Sequence, residues 1–263
     1  MADGRKKFKA IIEYEGTDFS GFQWQHGVRT VQGSLEEAIN SRCVSASRVT
    51  GAGRTDAGVH ALGQVISFTA ETRIPSDKMA IALNSALPMD LRIRHVEAVE
   101  ESFNARFSAS SRAYAYLVLN RSSPSAILRR FSAFVPAPLE VEKMQLAADL
   151  LVGERDYASF TNELNPEMTT MRAVKRFRVN RRKQLVIVRI EANAFLRGMV
   201  RNLVGTLLLV GQGKIKPDAV EEILASKDRK VAGPTAPAQG LCLMKVRYGH
   251  RKDYGAAIIE EID

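Results

Sequence analysis

The sequence predicts an α+β protein made of two halves, and three observations predict it. Several short runs alternate apolar and polar residues as strands do. Others carry apolar residues at the three-and-four spacing of a helix face. The order strand, helix, strand, strand, helix, strand then closes at a Ser-rich connector after Phe103–Phe107, beyond which the same mixture begins again. We draw the halves as residues 1–105 and 106–263. With 263 residues, 45% of them hydrophobic, the chain can bury a substantial core. No internal similarity is strong enough to establish a duplication.

In the first half, Phe8, Ala10, Ile12 and Tyr14 alternate with Lys9, Ile11 and Glu13 and predict a strand, ended by the turn Glu15–Asp18. Phe19, Phe22 and Trp24, interleaved with Gln23 and Gln25, form an aromatic loop that either meets nucleic-acid bases or covers the core; core cover is the simpler reading. Thr30 is placed to cap a helix whose buried face is Val31, Leu35, Ala38 and Ile39. Leu62, Gln64, Ile66 and Phe68 predict a strand. Ser76 is read as the cap of a helix through Met79, Leu83 and Ala86 that Pro88 stops. Leu91–Val99 is a further strand.

In the second half, Ala113–Leu119 predicts a strand with Tyr114 and Tyr116 on one face, which strand statistics assign to packing. Val141, Met144, Ala148 and Leu151 mark a helix with Gly153 just past its end. Asp156, Tyr157 and Phe160 follow in a turn, and Asn162–Thr170 is a polar loop. Ala173–Val179 and Leu185–Ala192 read as strands joined by the basic turn Asn180–Lys183. Phe195, Met199, Leu203 and Leu207 recur at fours in an apolar helix that sets Arg197 and Arg201 on one face. A buried guanidinium there needs an anionic partner and an exposed one does not; spacing leaves both open. Pro217–Leu224 and Leu241–Tyr248 supply a last helix and strand, and Lys227–Lys230 and Glu260–Asp263 read as solvated ends.

The net charge of +9 points to an anionic partner, nucleic acid first. The two cysteines, Cys43 and Cys242, lie outside any C-x-x-C pattern, so no disulfide framework or zinc site is expected and a reducing cytoplasm fits. The four histidines are scattered without a metal-binding pairing, and no metal is expected. The start, Met1–Lys7, lacks an apolar targeting segment, and the longest apolar stretch, Leu203–Val210, is too short to span a bilayer. The expectation is a soluble, intracellular protein without a membrane partner.

The most chemically informative stretch is Gly51–His60. Its glycines permit positive φ or close backbone approach, while Ala52, Ala57 and Gly58 leave room around Asp56, with Arg54 beside it. A carboxylate so placed on a connection between strands suits a nucleophile or a general base. An ordinary glycine-rich turn is the alternative.

Seven stretches together resemble bacterial tRNA pseudouridine synthases of the TruA type: Glu13–Gln25, the Gly53–His60 loop, Phe103–Phe107, Tyr114–Tyr116, Gly153–Tyr157, Asn193–Asn202 and Ala236–Leu241. The match runs through nearly the whole chain, and its specificity lies in the number and order of the stretches. Phe22, Arg155 and Cys242 stand where that family more often has Trp, His and an aromatic residue. The resemblance implies two similar halves, each a mainly antiparallel sheet backed by helices, with the active-site cleft between them. It also implies a homodimer that binds tRNA and uses no cofactor and no metal.

The implied activity is isomerisation of uridine to pseudouridine on the 3′ side of the anticodon stem-loop, at tRNA positions 38, 39 or 40. By the resemblance Asp56 is catalytic, and its role as nucleophile or base stays open. Arg54 helps hold the target nucleotide out of the stack. Tyr114 stacks on the flipped uracil, overriding the packing assignment for that tyrosine and leaving it for Tyr116. Arg201 pairs with the catalytic carboxylate, and Leu241 lines the pocket. Phe103, Asn104, Ala105, Arg106 and Phe107 contact the RNA, with Arg106 a candidate phosphate ligand. Two other classes compete with this reading. A non-catalytic RNA-binding module would display Tyr114, Tyr116 and Phe103 as stacking platforms, and would need neither Asp56 nor Arg201. A hydrolase built on Asp56 lacks a second acid at suitable spacing.

Overall fold

Strand β1 (Arg5–Tyr14) forms where apolar residues alternate, and it is the middle of three long strands. Helix α1 (Val31–Arg42) follows, its Thr30 Oγ1 accepting a hydrogen bond from Gly33 N at 3.2 Å, and Val31, Leu35, Ala38 and Ile39 are buried as the spacing requires. The short strands β2 (Ser45–Ala46) and β3 (Thr50–Gly51) pair with β4 (His60–Glu71), helix α2 (Ser76–Asn84) comes next, and β5 (Leu91–Val99) completes the order β5-β1-β4. All these pairings are antiparallel. Phe8 stands opposite Phe68 with ring centroids 5.5 Å apart, in a core shared with Leu35, Ile39, Met79 and Leu83.

The α2 expectation needs correction at both ends. Pro75 occupies the cap position, Ser76 is the first helical residue, and no side chain caps the helix. The helix stops at Asn84, whose amide exchanges two hydrogen bonds with the Ile93 backbone, both 2.8 Å, fastening the helix end to β5.

The structure, a computed structural model, describes residues 5–163 and 169–249. Residues 164–168 of the expected polar loop, and the acidic end Glu260–Asp263, lie outside the described residues. The chain forms two compact units: the first runs to Ser110 and resumes at Leu243, and the second is Ser111–Cys242.

The second unit contains β6 (Ser111–Leu119), β7 (Ala133–Phe134), α3 (Val141–Leu150), β8 (Gly153–Asp156), β9 (Met171–Arg182), β10 (Leu185–Ala192), α4 (Met199–Gly211) and α5 (Ala219–Ser226). Its strand order is β6-β10-β9-β8, antiparallel, with β7 parallel to β6. The last described strand, β11 (Leu241–Arg247), lies beside β4. The protein is therefore mixed α+β with a mostly antiparallel arrangement of strands. Among the described residues, no helix is long and apolar enough to cross a membrane.

Three expectations in this unit shift. Gly153 falls one position beyond the C′ site expected of it, because Leu151 caps α3 and Val152 intervenes; at φ 103° it opens β8. The β9–β10 turn narrows to Lys183 and Gln184, with Lys183 at φ 53°, so Asn180–Arg182 belong to the strand. Helix α4 starts at Met199, since Gly198 sits at φ 73°, outside helical space, with the Asn162 amide where a Cβ would stand. Phe195 and Arg197 consequently precede the helix, and Arg197 shares no helical face with Arg201. Arg197 pairs instead with Glu163 at 3.0 Å, both exposed.

Candidate active site

In the first unit, the segment around Asp56 is fastened by its own main chain. Ala52 N donates to Val65 O at 2.8 Å, and the buried Gln64 side chain donates to Gly53 O at 2.7 Å. Beyond Arg54, Thr55 O accepts from Phe22 N at 3.0 Å, and Thr55 Oγ1 hydrogen-bonds Tyr14 Oη at 2.8 Å. Asp56 O accepts from Val59 N at 3.2 Å, and His60 Nδ1 accepts from Gly16 N at 3.0 Å.

These bonds flank Arg54 and Asp56 on both sides and leave Arg54 exposed and Asp56 half-buried. Two glycines of the opening loop, the connection between β1 and α1 (residues 15–30), make the close packing possible. A Cβ on Gly16 would collide with the Val59 carbonyl, and one on Gly21, at φ 91°, would lie 3.1 Å from Thr55 O. The result is a carboxylate carried on a backbone-anchored turn, whose main chain is set before any substrate arrives.

The expected RNA-contact segment of this unit divides in two. Ala105 is fully buried and its N–H donates to Ser67 Oγ at 3.1 Å. Phe103 is half-buried, with its ring centroid 5.1 Å from that of Tyr248 and the Lys9 ammonium 5.8 Å away. Asn104 Oδ1 accepts from Arg106 N and Phe107 N at 2.9 and 3.2 Å, an Asx-type turn. That turn carries Arg106 and Phe107 outward, with the guanidinium 5.3 Å from the Phe107 centroid and Phe107 78% exposed.

The aromatic loop divides similarly. Phe19 and Phe22 are core residues, but Trp24 is 44% exposed, and the Arg48 guanidinium lies 5.2 Å from its ring. Core cover therefore describes the two phenylalanines and not the tryptophan.

In the second unit, β6 carries Tyr114 and Tyr116 inward on one face. Tyr114 is 8% exposed and meets the Phe195 ring edge-on at 5.1 Å. Tyr116 is fully buried, and its hydroxyl donates to Pro237 O at 2.8 Å. Burial pushes the Tyr116 hydroxyl well above the usual phenol range. Arg201, half-buried in the first turn of α4, donates from Nε to Ala236 O at 2.8 Å, while Ala236 N donates back to Arg201 O at 3.1 Å. Leu241 is buried at the start of β11.

Several supporting residues were not singled out in the sequence. Tyr14, Gly16 and Gln64 hold the Asp56 loop, and only the glycine-rich context hinted at them. Asn202, which follows Arg201 on α4, and Thr235 and Arg229 bond one another, and no local spacing announces them. Lys227–Lys230 is not simply a solvated end: Lys227 pairs with Asp156 at 2.9 Å, and Asp228 Oδ1 accepts from Lys230 N. The bond from Thr170, then that from Lys227, holds the Asp156 carboxyl below its usual range.

Comparison with known proteins supplies the wider context for this arrangement. The sequence pattern of the tRNA pseudouridine synthase family matches residues 10–108 and 147–249. A tRNA pseudouridine synthase A of Thermoanaerobacter sp. (strain X514) is 43% identical over 238 residues, covering 90% of this chain and 98% of that one. Proteins of the same name from Brevibacillus brevis and Methylococcus capsulatus are 44% and 45% identical, over 92% and 90% of this chain and 100% and 88% of theirs.

Proposed function

The chain belongs to the tRNA pseudouridine synthase family, enzymes that isomerise uridine in tRNA, and from that premise we propose that Asp56 is its catalytic residue. We extend the reading to the site of action: the 3′ side of the anticodon stem-loop, at tRNA positions 38 to 40. The observation that carries the catalytic assignment is the Arg54–Asp56 segment, fastened on both sides through the Gly53, Thr55 and Asp56 carbonyls, with Arg54 exposed and Asp56 half-buried.

The reaction breaks the bond from C1′ to N1 of uracil, turns the base, and joins C1′ to C5, with the C5 proton lost and one gained at N1. A carboxylate serves this chemistry as nucleophile toward the nucleoside or as base for a proton, and Asp56 is the group for either step. Arg54 is the residue proposed to keep the extruded nucleotide out of its stack. Tyr114 is proposed to stack on the uracil, Leu241 to line the pocket, and Arg201 to serve as counter-ion of the catalytic carboxylate. Of the segment Phe103–Phe107, the exposed Arg106 and Phe107 suit a phosphate and a base respectively. A homodimer acting in the cytoplasm without metal or cofactor completes the reading, supported by the resemblance and the basic charge of the chain.

The test is incubation of the protein with unmodified tRNA transcripts followed by mapping of pseudouridines. We expect product in the 3′ strand of the anticodon stem-loop. Product only elsewhere would refute the position, and no product on any transcript would refute the activity.

A further inference from the structure

Arg229 lies between α5 and the segment that leads to β11, in a charged stretch that local sequence assigns to solvent. Its guanidinium has five N–H donors, and all five are used. Nε donates to Asn162 Oδ1 at 3.2 Å, one terminal nitrogen to Gly233 O at 3.0 Å and Ala232 O at 3.5 Å, and the other to Asn202 Oδ1 and Thr235 Oγ1, both at 3.0 Å.

Asn202 is fully buried and immediately follows Arg201 on α4. It accepts a second bond from Thr235 Oγ1 at 2.7 Å and donates to Phe160 O and Asn162 Oδ1 at 2.8 and 2.9 Å. Gly233 N donates to Thr206 Oγ1 at 2.9 Å, one turn further along the same helix. Arg229 thus gathers residues 232–235 against the first turns of α4. The next residue, Ala236, makes the reciprocal pair of bonds with Arg201, through its carbonyl to Nε and its N–H to the Arg201 carbonyl.

We propose that Arg229 is a positioning residue for Arg201: by holding residues 233–235 on α4, it fixes the Ala236 carbonyl that orients the Arg201 guanidinium. The proposal rests on the reading of Arg201 as counter-ion of the catalytic carboxylate. A lysine cannot replace Arg229, because one ammonium cannot reach acceptors spread around a planar fork.

Two measurements test it. In steady-state assays on unmodified tRNA transcripts, Arg229→Lys and Arg229→Ala should lower kcat about tenfold and change KM less than about twofold, as expected when a reacting group is misplaced and binding is kept. In an Arg201→Ala background the same substitutions should cost less than about twofold further, because the residue they position is gone. A purely structural role would give equal losses in both backgrounds, and that result would overturn the proposal. If Arg229→Ala fails to fold, Thr235→Val, which removes one acceptor of Arg229 and one donor to Asn202, should show the same dependence on Arg201.

The second measurement does not depend on activity. The Arg201 Nε–H signal, assigned by its loss in Arg201→Lys, should be protected from solvent exchange in the native protein and lose that protection in Arg229→Lys. Unchanged protection would overturn the proposal even in a fully active enzyme. Absence of any pseudouridine from the native protein would instead refute the functional reading, leaving the exchange result to decide the positioning claim.

Discussion

The segment that carries Asp56 and the helix turn that carries Arg201 solve the same problem by different means. The turn that carries Asp56 is held mainly by main-chain groups: the Gly53, Thr55 and Asp56 carbonyls all accept bonds, and Gly16 and Gly21 let the opening loop come close enough to brace them. Arg201 is oriented by a side-chain network, in which Asn202, Thr206, Thr235 and Arg229 satisfy one another and hold Ala236 in place. A main-chain device depends on which residues are absent, because a Cβ in the wrong place breaks it. A side-chain network depends on which residues are present, since each loss leaves buried partners unsatisfied.

The sharpest test of that contrast is at the charged group itself. Asp56→Asn keeps the shape of the turn and its main-chain bonds, so it should abolish pseudouridine formation while leaving tRNA affinity within about twofold, measured by mapping and by filter binding. Retention of full activity would remove Asp56 from the mechanism.

Asn202→Ala should be the most costly change to stability in the second unit. It strands Phe160 O and one donor each of Arg229 and Thr235, and should lower unfolding free energy by about 3 kcal/mol in urea titration, with activity falling as Arg201 loses its support. Gly16→Ala probes the main-chain device: a Cβ against the Val59 carbonyl should cost about 2 kcal/mol. Activity should fall through displacement of residues 56–60. If Gly16→Ala proved neutral, the opening loop would not be the brace described above.

The smallest effect is expected at Arg29 and Asp90, a bidentate pair at 2.7 and 2.6 Å that anchors the far side of the opening loop. The hydrogen bond from Arg29 holds the Asp90 carboxyl below its usual range. The pair's contribution is therefore present above the ordinary carboxylate range and is lost as pH falls through the lowered value. Because both groups are partly solvated, Asp90→Asn should cost about 1 kcal/mol or less near neutral pH, with the difference from the native protein closing in acid. A difference that grew toward low pH would contradict the assignment.

Much of this was legible in the chain. Strands β1, β4, β5, β6 and β10 and helices α1 and α3 follow from alternation, helical spacing and the Thr30 cap, although β1 and β4 prove to be buried on both faces. The element ends were less legible. Phe195 continues the spacing of α4, yet Gly198 takes a left-handed conformation demanded by the approach of Asn162, a residue 36 positions earlier in sequence. Asp56 and Arg54 stood out because their loop is made of small residues whose absence of side chains is itself a signal. Arg229 did not, since a lysine- and arginine-rich stretch looks the same whether its charges meet water or a buried asparagine.

The sequence alone thus determined the element types, the core faces, the family and the candidate carboxylate, all written in local spacing or short ordered motifs. Only the tertiary structure decided which polar side chains are spent on one another: that Asn104 turns Arg106 outward, that Trp24 is exposed where Phe22 is buried, and that Arg229 serves α4 rather than solvent. Hydrogen bonds between residues far apart in sequence leave no periodicity behind, so the network around Arg201 becomes visible only once the chain has folded.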